Sequence, residues 1–190
     1  MQLRPVAPTD HSAVLAVLAT AFADDPIATW LFGGTCRRPE LQERFYRHQL
    51  GHPAARTDIV DDGDGVAIWH HLAGPEPAAS TDLSAVFGTA GLRLQALGEV
   101  LAPHHPAEPH AYLFCMAVTG RRQGAGLGSA LLRHRLRLLD QDGVPAYLEA
   151  SSARSRALYL RHGFEDLAGP VHPAGGPPLW PMGRNPRQHS

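Results

Sequence analysis

The chain has 190 residues, 44% hydrophobic and 18% charged, a balance that excludes wholesale disorder and at this length supplies a core without disulfides or metals. Its net charge of −1 carries no electrostatic footprint for nucleic acid or an anionic membrane, and no apolar run approaches the length of a membrane span. All 17 basic residues are arginine, so a Schiff-base lysine and the phosphate-reaching lysine of a Walker loop are both excluded.

Residues 2–6 read as a short first strand, and Pro8-Thr9-Asp10 as a turn and helix cap. Between 11 and 22, Val14, Leu15, Val17, Leu18 and Phe22 recur at helical spacing. Asp24-Asp25-Pro26 breaks that helix. Further helices follow at 27–32 and 39–50. Strands at 57–60 and 66–72 flank Asp61-Asp62-Gly63-Asp64-Gly65, a hairpin signal. Residues 73–79 form a Pro/Ala loop. One helix is expected over 83–101, although Gly88, Gly91 and Gly98 each cost it about 1 kcal/mol against alanine.

Residues 112–118 are apolar on both faces, with Tyr112, Phe114, Met116 and Val118 on one and Leu113, Cys115 and Ala117 on the other. That pattern marks a central strand. A Gly/Arg loop spans 120–128. An amphipathic helix runs over 129–140, with Leu131, Leu132, Leu136 and Leu139 facing inward. A strand at 146–150 and a helix at 153–162 follow, with Gly163 as a left-handed cap. Weaker strands at 165–168 and 179–182 enclose a Gly/Pro hairpin. Residues 184–190 read as a mobile tail behind a single domain over 1–183.

Arg121-Arg122-Gln123-Gly124-Ala125-Gly126-Leu127-Gly128 joins a buried strand to a helix. Such a loop either turns the chain or holds an anion. Free N–H groups and the helix dipole favour a pyrophosphate, and glycine permits close approach. A dinucleotide fingerprint requires G-x-G-x-x-G, and the spacing here is G-x-G-x-G.

Arg121-x-x-Gly124-x-Gly126 resembles the acetyl-CoA signature of GNAT acetyltransferases. The match extends through Tyr147-Leu148-Glu149-Ala150-Ser151, Ala157-Leu158-Tyr159 and His162-Gly163-Phe164-Glu165, so it covers residues 110–165. Within that superfamily, Ala21-Phe22-Ala23-Asp24, Leu101-Ala102-Pro103-His104 and Gly143-Val144-Pro145-Ala146 are similar to bacterial enzymes of the puromycin N-acetyltransferase type.

The resemblance implies an α/β (α+β) domain of the GNAT acyl-CoA N-acyltransferase fold. Its central sheet would be mixed and mostly antiparallel, flanked by helices and splayed at the central strand. It implies acetyl-CoA as cofactor. Backbone groups of Met116, Ala117 and Val118 would hold the pantetheine arm, and an N–H near Val118 the oxyanion. Arg121, Arg122, Gln123, Gly124, Ala125, Gly126, Leu127 and Gly128, with Ser129, would hold the pyrophosphate. Ser155 stands where relatives often carry a pantetheine-binding Asn. Tyr159 matches the family's general acid.

The general base stays open between His110, at the entrance of the central strand, and Glu149, on the next. Asp24 and Asp25 either bind a substrate cation or only break a helix, and of His70 and His71 at most one faces the site. Cys115 allows an acetyl-cysteine route or is inert packing. No His-x-x-x-His pair falls on a helix with a carboxylate, so no metal is expected. The implied acceptor is a primary amine on a small molecule, an antibiotic or a biosynthetic intermediate, attacking directly in a ternary complex. A protein amine and a non-catalytic acyl-CoA-binding module are the alternatives. Neither nucleic acid nor membrane is an expected partner, and the oligomeric state is a monomer or a homodimer. Two distant cysteines and the absence of a signal-peptide pattern point to the cytoplasm.

Overall fold

The computed structural model describes residues 2–33, 36–60, 63–74 and 83–187. Its strands are β1 (Leu3–Pro5), β2 (Ala55–Val60), β3 (Gly65–Leu72), β4 (His110–Val118), β5 (Ala146–Ala150), β6 (Glu165–Asp166) and β7 (Trp180–Arg184). They form one sheet in the order β1-β2-β3-β4-β5-β7-β6. Only β4 and β5 run parallel; every other neighbouring pair is antiparallel. The helices are α1 (His11–Ala21), α2 (Pro26–Phe32), α3 (Arg38–Leu50), α4 (Leu83–Phe87), α5 (Thr89–Leu101), α6 (Leu127–Asp142) and α7 (Ala153–Arg161). No single described helix is long and apolar enough to cross a membrane.

The central strands carry apolar side chains at successive positions, so both faces of the sheet must be covered. On one face Ala67, Trp69 and Leu113 meet the leucines of α6 and Tyr159 of α7. On the other, Val66, Ile68 and Ala117 meet Val14 and Leu18 of α1 and Tyr46 and Leu50 of α3. A third cluster joins Phe32 of α2, Phe87 of α4 and Ala90 of α5. Gly143 closes α6 at φ +67, a conformation that costs glycine nothing.

Three expectations need correction. The simple alternation along β4 fails at Phe114. Ile68 pairs with Cys115 and Trp69 with Leu113, so Phe114 is an extra residue in the ladder. Such a bulge turns over the residues that follow. Met116 and Val118 therefore join Leu113 on the α6 face, while Cys115 and Ala117 lie on the α1 face.

The single helix expected over 83–101 is two. Gly88 takes φ +58 and interrupts it, and α5 folds back on α4. The return is so close that a Cβ on Gly91 would stand 2.0 Å from the Leu83 carbonyl oxygen. Glycine here is a packing requirement rather than a tolerated helix defect.

The strand at the C-terminal end also runs past Gly183. Arg184 belongs to β7, is 6% exposed, and forks onto the Asp140 carboxylate of α6 at 2.7 and 2.8 Å. Arg187 donates its peptide N–H to the same carboxylate at 2.8 Å. Arg184 is thus part of the sheet and not of the tail. Asp61 and Asp62 of the expected hairpin, residues 75–79 of the expected loop and residues 188–190 lie outside the described residues.

Candidate active site

β4 and β5 pair only at Ala111↔Ala146 and Tyr112↔Tyr147, and then part. Exposure records the split. His110 to Leu113 are buried, whereas Phe114, Cys115, Met116 and Val118 are each partly exposed in the middle of the sheet. From Leu113 to Val118, one edge of β4 presents peptide groups with no strand beside them, and such groups demand partners.

The glycine loop lies at the far end of that edge. A 3-10 turn, Gly120–Arg122, leads into Gly124 and Gly126, both at φ +81. A Cβ built on Gly120, Gly124 or Gly126 would meet nothing within 4 Å. The N–H groups of Gly124, Gly126, Leu127, Gly128 and Ser129 have no backbone acceptor among the described residues. Open space, unpaired donors and the start of a 16-residue helix make this an anion cradle.

The side chains of the loop are otherwise engaged. Asp64, in the turn before β3, accepts from Thr119 Oγ1 at 3.2 Å and from Arg121 at 2.9 Å, and lies 3.3 Å from Arg122. The Arg121 hydrogen bond holds the Asp64 carboxyl below the usual carboxylate range. The Asp64 carbonyl also takes the Thr119 N–H, so one residue fixes the start of the loop. Gln123 lies against the Val118 carbonyl and Arg154. The peptide groups of the loop, rather than its guanidinium groups, are what remain free. Ser155 is likewise occupied: it exchanges hydrogen bonds with Ser152 in the capping box of α7.

Tyr159 projects from α7 into the core on the α6 face, edge-on to Phe164 with ring centroids 5.9 Å apart. It is 8% exposed. Burial pushes its hydroxyl up, so the group keeps its proton at any working pH.

On the opposite face, where β4 and β5 separate, lies a cluster of polar side chains. Tyr112 donates its hydroxyl hydrogen to Glu149 Oε2 at 2.8 Å, bridging the two strands just before they diverge. His105, on the segment leading into β4, has Nε2 3.3 Å from Glu149 Oε1. Its ring packs against Tyr147 and Tyr112, with centroids 4.5 and 4.9 Å away. His110 completes the group, with Nδ1 2.8 Å from the Glu108 carbonyl. Burial lowers His110, keeping it neutral, and burial pushes Tyr147 up.

Of the sequence candidates, Glu149 and His110 thus share one cluster, and Tyr159 lies in the core on the other face of the sheet. His105, Tyr112 and Tyr147 join them without having been singled out. Once β4 is known to neighbour β5, period-two alternation puts Tyr147 and Glu149 on the Tyr112 side. The sequence holds no such signal for His105.

The remaining candidates take structural positions. Asp25 caps α2, accepting from the Ala28 N–H at 2.9 Å. His70 is sealed between His52 and Phe114, and burial lowers it to about 4. His71 lies on the other face of β3, lowered by burial and by Arg135. Burial pushes the Cys115 thiol up, away from the thiolate that nucleophilic catalysis needs.

A mixed sheet split at its one parallel pair, with an anion cradle at the end of the free edge, defines an acyltransferase fold. The chain belongs to the acetyltransferase (GNAT) family, whose profile matches residues 39–164. It is similar to an uncharacterised N-acetyltransferase of Schizosaccharomyces pombe, at 25% identity over 86% of this chain and 74% of that protein. Among solved structures it resembles a Corynebacterium glutamicum protein described as a histone acetyltransferase and related acetyltransferase. That likeness has 27% identity and a TM-score of 0.72 over 100% of this chain and 98% of that one. It also shares its fold with arylalkylamine N-acetyltransferase 2 of Aedes aegypti, at 16% identity and a TM-score of 0.71 over 98% and 99% of the two chains.

Proposed function

We propose that this protein transfers acetyl from acetyl-CoA to a primary amine of a small molecule, by direct attack in a ternary complex. The observation that carries the reading is the meeting of three features at one split in the sheet. These are a free strand edge, an anion cradle at its end, and the Glu149 carboxylate held by Tyr112 where the two strands diverge.

Acetyl-CoA would supply an acetyl thioester as acyl donor. The unpaired donors of Gly124 and of Gly126 to Ser129, and the open space at Gly120, Gly124 and Gly126, fit its pyrophosphate. The edge at Met116, Ala117 and Val118 fits an amide-bearing arm bound as an added strand. An N–H near Val118 would polarise the thioester carbonyl, usually a large effect in acyl transfer. Glu149 takes a proton from the incoming ammonium group, and Tyr159 gives one to the departing thiolate. His110, lowered by burial, lies beside Glu149 as a neutral ring.

A second reading, transfer to a protein amine, is supported by the likeness to the Corynebacterium protein described as a histone acetyltransferase. A melting experiment tests the shared premise. Acetyl-CoA at one hundred times its dissociation constant should add about 2.7 kcal/mol, raising the melting temperature by about 5–10 °C in a domain of this size, while NAD does nothing. CoA release is then followed with small amines and with peptides. No shift at millimolar acetyl-CoA overturns the proposal.

A further inference from the structure

We propose that His105 is a positioning residue of the acceptor site, which acts through Glu149 and carries the amine's proton away from it. The inference rests on the acetyl-transfer reading above.

Glu149 is a carboxylate with a 6% exposed side chain, and its one ion pair among the described residues is with His105, itself 10% exposed. A buried carboxylate is costly unless a cation and hydrogen bonds compensate it. No arginine pairs with Glu149 among the described residues, so that compensation falls to an imidazole whose charge is conditional. Among the described residues, the side chains in contact with His105 come from the two central strands. β4 contributes Tyr112 and His110, and β5 contributes Tyr147 and Glu149. His104 of its own segment is partly exposed and Glu108 exposed.

Four buried polar atoms in this cluster have no hydrogen-bond partner among the described residues: His105 Nδ1, His110 Nε2, the Tyr147 hydroxyl and Glu149 Oε1, whose 3.3 Å approach to His105 Nε2 is an ion-pair contact and not a formed hydrogen bond. Isolated orphans of this kind are rare, and groups of them are satisfied by ordered water. Here the rings of His105, His110 and Tyr147 lie with centroids 4.5 to 6.0 Å apart, and Glu149 is bridged to Tyr112 beside them. Glu149 therefore touches both Tyr112, on the strand that diverges from its own, and a buried imidazole.

The proton balance follows that layout. The substrate's N–H bond breaks, its electron pair remains on nitrogen, and the proton passes to Glu149. The carboxylic acid then gives the proton to neutral His105, which restores the carboxylate and leaves an imidazolium. The imidazolium releases a proton to water and returns to neutrality. Tyr112 keeps the carboxylate aimed throughout and is not itself consumed.

His105→Ala and His105→Gln, each measured against wild type over pH 6–10, test the assignment. The probes are acetyl-CoA and whichever amine of a panel of alkylamines, arylalkylamines, aminonucleosides and lysine peptides the wild type acetylates. Near neutral pH, kcat/KM should fall about 100-fold, with recovery at alkaline pH where the amine is already free. The melting shift with acetyl-CoA should be unchanged. Substituted imidazoles should restore His105→Ala in proportion to their basicity and leave Glu149→Gln unrestored. A loss equal at every pH, or rescue that ignores basicity, overturns the proposal and makes His105 a packing residue. A wild type that binds acetyl-CoA but acetylates no amine overturns the functional reading itself, and the relay with it.

Discussion

Gly126 and Gly143 bracket α6, one before its first turn and one after its last, at φ +81 and φ +67. At both, a Cβ would meet no atom within 4 Å. Alanine at either position therefore introduces backbone strain without collision, about 1 kcal/mol by the usual penalty for a left-handed residue. In a domain of this size each substitution should lower the melting temperature by about 2–4 °C. Only Gly126→Ala places its methyl in the open cradle. There it lengthens one charge-assisted hydrogen bond, for which a tenfold loss of acetyl-CoA affinity, about 1.4 kcal/mol, is the expected scale. At a ligand concentration one hundred times the wild-type dissociation constant, the increment from acetyl-CoA should fall from about 2.7 to about 1.4 kcal/mol. Gly143→Ala should keep the full increment. The assay is thermal unfolding of three proteins with and without acetyl-CoA. A full increment in Gly126→Ala refutes the cradle, and equal losses in both variants refer the effect to helix stability.

Tyr159→Phe should lower kcat about 100-fold with the KM for acetyl-CoA unchanged, read by thiol release; undiminished turnover removes the acid role. Ellman's reagent should titrate one thiol, exposed Cys36, in the native protein and two in urea, and Cys115→Ala should retain turnover. Loss of turnover in a Cys115→Ala protein that still binds acetyl-CoA would restore the acetyl-cysteine route. Asp140→Ala strands the 4% exposed Arg184 side chain and should cost about 3 kcal/mol in urea unfolding. Arg184 holds the Asp140 carboxyl below its ordinary value. The stabilisation is thus present above the unfolded carboxyl's range, near pH 4, and disappears as pH falls through the lower folded value. The gap in urea midpoint between wild type and Asp140→Asn should narrow as pH falls below about 4, and a constant gap refutes the linkage.

The elements that carry the family motif were the most legible in sequence, because each is fixed locally. A short run apolar on both faces marks β4, glycines mark the loop, and the leucines of α6 repeat at helical spacing. What escaped depends on contacts between distant residues. The extra residue at Phe114 is invisible in an unbroken apolar run, and only the β3 register reveals it. Gly88 and Gly91 read as weak points in one helix, whereas the close return of α5 on α4 requires them. Arg184 looked like the start of a polar tail because its partner, Asp140, lies 44 residues away. His105 sits in a Pro-rich connection, and its approach to Glu149 is set by the path of that connection over β5.

Two rungs between β4 and β5 join a block of four strands to a block of three. Mechanically these are two plates on a narrow neck, braced by α6, which packs on β2, β3 and β4 and is clamped to β7 through Asp140 and Arg184. An extended guest in the split would act as the missing rungs, so occupancy and stiffness become one quantity. A substitution that slackens either plate, however far from the cleft, is then felt as weaker binding, and a bound guest is felt as slower hydrogen exchange in both plates at once.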